Sequence, residues 1–279
     1  MTAKISVRGV GKTFPVRGGG AFTALRDASL DVAAGEFLAV VGPSGCGKST
    51  LLDLIGGLTR PTAGRVVIDG AEVTGPALDR GIVFQQYALF PWRTAQRNVE
   101  FGLESNGLGG RRRLGRRERA EVARRHLDLV GLSGFEDRYP HELSGGMKQR
   151  VAIARSLAYD PDVLLMDEPF AALDAQTREA LQDELVRIWS RTGKTVVFIT
   201  HGIDEAVYLA GRVAVMTSRP GRIKEIVDID LGARDEHEDL RSTPEFAAHR
   251  HAVWSLLRDE VRSARLGVPE PREEAIPHG

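Results

Sequence analysis

Residues 37–55 decide the fold: the apolar run Phe37-Leu38-Ala39-Val40-Val41, then Gly42-Pro43-Ser44-Gly45-Cys46-Gly47-Lys48-Ser49-Thr50, then Leu51-Leu52-Asp53-Leu54-Ile55. Five consecutive apolar residues suit a strand buried on both faces of a parallel sheet. The middle segment matches G-x-x-x-x-G-K-[ST], and the run after it suits a helix, so the motif has the strand–loop–helix setting it requires. Glycines there let backbone N–H groups converge on phosphate oxygens, and the helix N-terminus adds partial positive charge. Lys48 is expected to bridge the β- and γ-phosphates of a nucleotide, and the Ser49 hydroxyl to ligate Mg²⁺. Gly42, Pro43, Ser44, Gly45, Cys46, Gly47 and Thr50 complete the expected cradle. Cys46 lies beside Lys48 and the helix start, both of which favour a thiolate, so it is expected to be reactive and to report on nucleotide occupancy, with an inert thiol pointing into the core beneath the loop as the alternative.

Outward from this segment, Val163–Met166, Thr195–Ile199 and Val213–Met216 are further buried-strand runs, and Ile5 and Val7 alternate with polar neighbours. Leu181, Leu185, Ile188 and Trp189 recur at helical spacing between two of the runs. Strands alternating with helices indicate an α/β fold with a parallel sheet. The Val163–Met166 strand runs into Asp167-Glu168-Pro169. Because successive strand residues point to opposite sides, the two acids can differ in role. Asp167 is expected to hold Mg²⁺ through water and Glu168 to act as general base on the attacking water.

The whole chain has 279 residues, 42% hydrophobic and 27% charged, an ordinary globular balance. Thirty-eight Lys and Arg offset thirty-eight Asp and Glu, so the charge does not point to nucleic acid as a partner. One cysteine excludes an internal disulfide framework and a multi-cysteine zinc site. The opening residues lack the apolar core of a signal peptide, and no window reaches the ~18 apolar residues of a membrane span. A soluble, cytoplasmic chain is therefore expected, one that reaches a membrane only through a partner.

Leu143-Ser144-Gly145-Gly146-Met147-Lys148-Gln149-Arg150 leads into a second helix, with Val151, Ile153, Ala154 and Leu157 facing a core. This is a second anion-binding helix start, which one nucleotide in one chain does not need. A two-fold dimer, each chain's second cradle capping the other's nucleotide, explains it economically.

These residues resemble the ATP-binding subunits of ATP-binding cassette (ABC) transporters, over roughly residues 4–225. Leu143–Met147 is similar to the family's LSGGQ signature, with Met147 in place of Gln. The resemblance implies that Ser144 and the Gly145 and Gly146 backbone contact phosphate. It implies that Gln85 is the Q-loop residue, sensing Mg²⁺ and water and coupling to the membrane subunit. Asp174, in Ala172-Leu173-Asp174, matches the D-loop at the dimer interface, and His201 matches the switch histidine at the γ-phosphate. Phe14 resembles the aromatic residue on which adenine stacks, with an ordinary sheet aromatic as the alternative. Gly202 stands where the family often has Asp.

The expected fold is thus an α/β P-loop NTPase cassette, with a parallel-sheet core, an antiparallel β subdomain and a helical subdomain. Residues 1–225 form the cassette, with a helical insertion at about 87–158. Residues 226–279 form a short C-terminal extension, with one amphipathic helix starting at Thr243-Pro244 and an end expected to be disordered. Arg111–Arg113, Arg116 and Arg117 read either as a solvated loop and helix start or as a contact for anionic headgroups.

Lys48 and Ser144 are only 96 residues apart, leaving no room for the long coiled coils of chromosome-type cassettes. A single motif set and a single cysteine speak against the translation and excision-repair types. A cassette separate from membrane helices favours an importer, with a separate-subunit exporter or a non-transport ATPase as alternatives. Leu89–Thr94 and Ser218–Ile223 resemble the branch importing nitrate, sulfonates and taurine. The expected partners are a second cassette or a second copy of this chain, integral membrane permease subunits and, through the complex, an extracytoplasmic solute-binding protein. Phe90 and Trp92 are expected to be exposed and to dock the permease, with local packing of the helical insertion as the alternative.

Overall fold

The computed structural model describes residues 3–16, 18–104, 114–232 and 240–266. Two sheets organise it. Strands β1 (Ala3–Pro15), β2 (Ala21–Ala33), β4 (Ala63–Ile68) and β5 (Ala71–Glu72) make an antiparallel sheet in the order β2-β1-β4-β5. The second sheet holds β3 (Phe37–Val41), β6 (Arg80–Val83), β7 (Val163–Asp167), β8 (Thr195–Ile199), β9 (Arg212–Met216) and β10 (Ile223–Asp228). Its order is β10-β9-β3-β8-β7-β6, parallel throughout except for the β9–β10 pair at one edge.

Alternation along the buried strands feeds two cores. In β3, Phe37, Ala39 and Val41 join one cluster while Leu38 and Val40 join the other. Helix α1 (Lys48–Gly56) fills the second cluster with Leu51, Leu52, Leu54 and Ile55, between the two sheets. The opposite face is covered by α5 (Ala175–Thr192), α6 (Ile203–Leu209) and α7 (Pro244–Leu266). Helices α2 (Ala95–Glu104), α3 (Arg116–Leu129) and α4 (Gly145–Leu157) pack on one another in the stretch between β6 and β7.

The start of α7 follows from its sequence. Thr243 accepts a hydrogen bond from Phe246 N at 3.2 Å, and Pro244 occupies the first helical position, where its missing N–H costs nothing. Phe246, Val253 and Leu257 are buried on one face. The chain end expected to be disordered and Arg111–Arg113 lie outside the described residues; Arg117 pairs with Glu121 at 3.4 Å on α3. Among the described residues no helix is long and apolar enough to cross a membrane.

Candidate functional site

Strands β3, β8 and β7 lie side by side and parallel, so their carboxyl ends open on the same edge of the sheet. The residues that follow them are Gly42–Lys48, Thr200–His201 and Asp167–Glu168. Ligands of open α/β sheets bind at such carboxyl ends.

The Gly42–Lys48 loop is closed by its own lysine. Lys48 is buried, and its Nζ donates to Gly42 O at 2.9 Å and to Pro43 O at 3.1 Å. An ammonium held by two neutral carbonyls gains from exchanging them for charged phosphate oxygens, since charge-assisted hydrogen bonds are the stronger kind. Gly47 precedes α1 at φ +104°, and a Cβ there would stand 2.8 Å from Leu25 Cδ2, so both backbone conformation and space require glycine.

Asp167 ends β7 beside the Ser49 hydroxyl. Burial pushes its carboxyl above the ordinary range and the Glu168 charge adds to this, while Ser49 and Lys48 oppose it. Its Oδ1 is buried with no hydrogen-bond partner. A hydroxyl, a carboxylate and an orphaned carboxylate oxygen beside a phosphate loop fit a hard divalent cation completed by phosphate and water.

Glu168 lies one residue beyond the strand, at φ +45°, so a left-handed backbone rather than strand alternation turns it away from Asp167. Its N–H donates to Ile199 O at 2.9 Å, and its Oε2 lies 3.2 Å from His201 Nδ1. Thr200, just before the histidine, is buried and hydrogen-bonded to Glu205 Oε2, while Gly202 N donates to Thr200 Oγ1 at 2.9 Å. Burial also raises the carboxyl of Glu205. Gln182 Nε2 donates to Glu205 Oε1 at 2.9 Å, and Arg241, just before α7, donates to Gln182 Oε1 at 2.6 Å. A cavity of about 720 Å³ opens beside this chain, with Glu168, His201, Arg178 and Trp254 in its walls.

Among the described residues, the other expected residues share no hydrogen bond or ion pair with the side chains of this group. Gln85 is exposed in the bend after β6. Ser144 caps α4, its Oγ accepting from Met147 N at 3.2 Å. Asp174 caps α5, accepting from Thr177 N at 2.9 Å, and that backbone N–H holds its carboxyl below the ordinary range. A Cβ on Gly145 would meet Tyr87 Oη and Leu173 Cδ2, and one on Gly146 would meet Thr177 Cγ2 at 2.6 Å, so these glycines also serve close packing. Phe14 lies in β1 opposite Phe22 of β2, with Lys12 Nζ 4.9 Å above its ring.

Two expectations change. Cys46 is 1% exposed and points into the core beneath the loop, where its Sγ would meet a Cβ on Gly42 at 2.8 Å. Burial raises its thiol above the ordinary value and outweighs the opposing charges of Lys48 and Arg219. It is therefore an inert core thiol, and only its backbone belongs to the loop. Phe90 is only half-exposed, packed edge-on to Phe101 with ring centroids 4.6 Å apart and against Arg93, whereas Trp92 is 71% exposed. Beneath them, fully buried Asn98 bonds the backbone of Phe90, Arg93 and Thr94, fixing that turn.

One contact to the phosphate loop has no counterpart among the motifs: Arg219 donates through Nε and Nη2 to Gly45 O, both at 3.3 Å. Its presence in the Ser218–Ile223 segment was legible, but its position over the loop depends on β9 lying beside β3.

Comparison with known proteins bears on the family and the fold. The profile of the family described as ABC transporter matches residues 25–171. The nitrate import ATP-binding protein NrtD of Synechocystis sp. is 50% identical over 244 residues, covering 86% of this chain and 90% of that protein. The taurine import ATP-binding protein TauB of Roseobacter denitrificans is 43% identical over 258 residues, covering 91% of this chain and 94% of that protein. Among solved structures, a dimeric post-hydrolysis state of the ATP-binding cassette MJ0796, bound to ADP and Pi, superposes with a TM-score of 0.71 at 36% identity, over 81% of this chain and 99% of that one.

Proposed function

The chain belongs to the ABC transporter family as an ATP-binding, ATP-hydrolysing subunit, and from that premise we propose that it powers import of a small solute of the nitrate, sulfonate or taurine kind through a separate membrane permease. The observation that carries the ATPase chemistry is the convergence of Lys48, Asp167, Glu168 and His201 on one sheet edge, with Glu168 Oε2 3.2 Å from His201 Nδ1.

In this reading Lys48 leaves its loop carbonyls for the β- and γ-phosphates, and the loop N–H groups, with Phe14 at the adenine, hold the rest of the nucleotide. Glu168 takes the proton of the attacking water, and His201 holds the γ-phosphate in line with it. Ser49 and Asp167, with Gln85 nearby on closure, would hold Mg²⁺, which when bound neutralises charge on the phosphates. Ser144, Gly145 and Gly146 serve the nucleotide of a second cassette, with Asp174 at the junction, because one nucleotide in one chain does not need a second helix-start cradle. The second cassette is a second copy or a close relative.

Trp92 docks the permease, because a large exposed aromatic on a fixed turn suits an interface anchor. The protein then sits peripherally on the cytoplasmic face of the membrane, and an extracytoplasmic solute-binding protein delivers the cargo. The test is co-purification with a membrane permease of the same organism and reconstitution in proteoliposomes with that permease and a solute-binding protein. Nitrate or taurine supplied with the binding protein is expected to raise ATP hydrolysis. Trp92→Ala is expected to abolish that stimulation and leave hydrolysis by the isolated subunit unchanged. Stimulation that survives Trp92→Ala refutes the docking assignment, and hydrolysis indifferent to nitrate, sulfonates and taurine alike refutes this solute class.

A further inference from the structure

We propose that Arg219 is a positioning residue for the phosphate loop, holding Gly45 outward so that the loop is preformed for the triphosphate. The proposal rests on the reading that this loop binds ATP, and goes beyond it in assigning a residue outside the nucleotide motifs.

The geometry is a clamp. Two N–H groups of one guanidinium edge converge on Gly45 O, and the guanidinium Cζ lies over the Phe22 ring, 4.6 Å from its centroid. A Cβ on Gly45, which sits at φ +72°, would come within 2.7 Å of Arg219 Nη2, so the contact is tight. A phosphate loop functions by pointing successive N–H groups inward, which leaves its carbonyls to be engaged from outside. Lys48 engages those of Gly42 and Pro43, and Arg219 engages that of Gly45.

The segment that carries Arg219 is itself fastened. Gly221 N donates to Ala24 O at 2.8 Å, and Arg26 N donates to Gly221 O at 3.0 Å, tying it to β2. A Cβ at Gly221 would stand 1.9 Å from Cys46 O, so only glycine lets the segment lie this close to the phosphate loop. From the other side, Glu260 of α7 accepts from Ser218 N at 2.8 Å and pairs with Lys224 at 2.9 Å. The C-terminal helix thus holds the support of the phosphate loop in place. A planar fork that stacks on a ring while bonding one oxygen is a task for arginine, not lysine.

A preformed loop binds more tightly than one that ATP must order, and once ATP is bound the reacting groups are unaltered. Arg219→Ala is therefore expected to raise KM for Mg-ATP roughly ten-fold, the scale of a charge-assisted hydrogen bond, with kcat within about two-fold of the parent. Arg219→Lys is expected to stay near the alanine variant, and Phe22→Leu to raise KM by a smaller factor in the same direction. Melting without nucleotide is expected to stay within about 2 °C of the parent, since Arg219 is exposed, while the upward shift given by saturating ATP shrinks. A parent-like KM in Arg219→Ala, full rescue by Arg219→Lys, or a loss confined to kcat each overturns the proposal. Failure of the parent chain itself to bind Mg-ATP would instead overturn the ATP reading. Should Arg219→Ala not fold, Phe22→Leu decides, and a parent-like KM there refutes the clamp.

Discussion

The carboxyl edge of the parallel sheet and the start of α4 both present glycine-rich backbone at a helix start, yet they differ in what surrounds them. At the sheet edge, Ser49 lies beside Asp167, and Glu168 lies against His201. These residues come from three separate stretches of chain, assembled by strand order. At α4, Ser144 caps its own helix, and the two glycines are pressed against Tyr87, Leu173 and Thr177. Among the described residues no hydrogen bond or ion pair joins Ser144 to Lys48, Asp167, Glu168 or His201. The first region gathers Lys48, Asp167, Glu168 and His201 on one edge within a single chain. The second has a cradle without chemistry beside it, as expected of a surface that serves another molecule's site.

The sharpest way to break this contrast is at the sheet edge. Glu168→Gln is expected to lower kcat about 10²–10⁴-fold, the usual worth of a general base, while ATP binding persists. Because ATP is then held between two cassettes, the variant is expected to elute as an ATP-bound dimer in size exclusion. Phosphate release at the parent rate would remove Glu168 from the mechanism.

The α4 region is tested next. Ser144→Arg places a bulky cation at the second cradle and is expected to leave a tenth or less of the hydrolysis, roughly the loss of one oriented phosphate contact. Mixed with Lys48→Ala, it should regain activity that neither variant shows alone, because one composite site per dimer remains intact. Ser144→Ala separates the local role, since losing the cap costs about 0.5–2 kcal/mol of stability without blocking the cradle. Normal hydrolysis by Ser144→Arg alone would end the head-to-tail arrangement.

The smallest effect concerns the underside of the first region. Cys46 is expected to resist maleimide at pH 7 equally with and without Mg-ATP. Burial raises the thiol pKa, so the reactive thiolate is scarce at neutral pH in the folded chain and grows only as pH climbs beyond the ordinary thiol range. Intact mass after a timed reaction reads the result. Full labelling at pH 7 within minutes, or clear protection by Mg-ATP, would place the thiol in the open loop.

Cys46 shows where sequence reasoning stops. Its neighbours in the chain, Gly45, Gly47 and Lys48, argue for a thiolate, but the side chain turns under the loop toward Met216 and Gly42, and desolvation outweighs the nearby cations. Phe90 errs for a similar reason, because Phe101 and Arg93, both on or next to α2, cover a ring that looked free in the sequence. Strand β10, Ile223–Asp228, escaped notice because an edge strand carries no continuous apolar run.

What the sequence determined by itself was chemistry that lies within short stretches. The spacing of Gly42, Gly47, Lys48 and Ser49 requires a loop between a buried strand and a helix, the apolar runs require a sheet covered on both faces, and Thr243-Pro244 starts α7. These depend on local backbone preference and hydrophobic period, which neighbouring residues carry. What only the tertiary structure decided was which distant groups meet. Strand order sets Glu168 against His201 and β9 beside β3, and the latter brings Arg219 onto Gly45. The fold sends Cys46 inward and joins Arg241 through Gln182 and Glu205 to Thr200. Apart from Thr200 and Glu205, which are five residues apart, these side-chain pairs bridge from 23 to 174 residues, and no local period encodes them, because they follow from how sheets and helices pack.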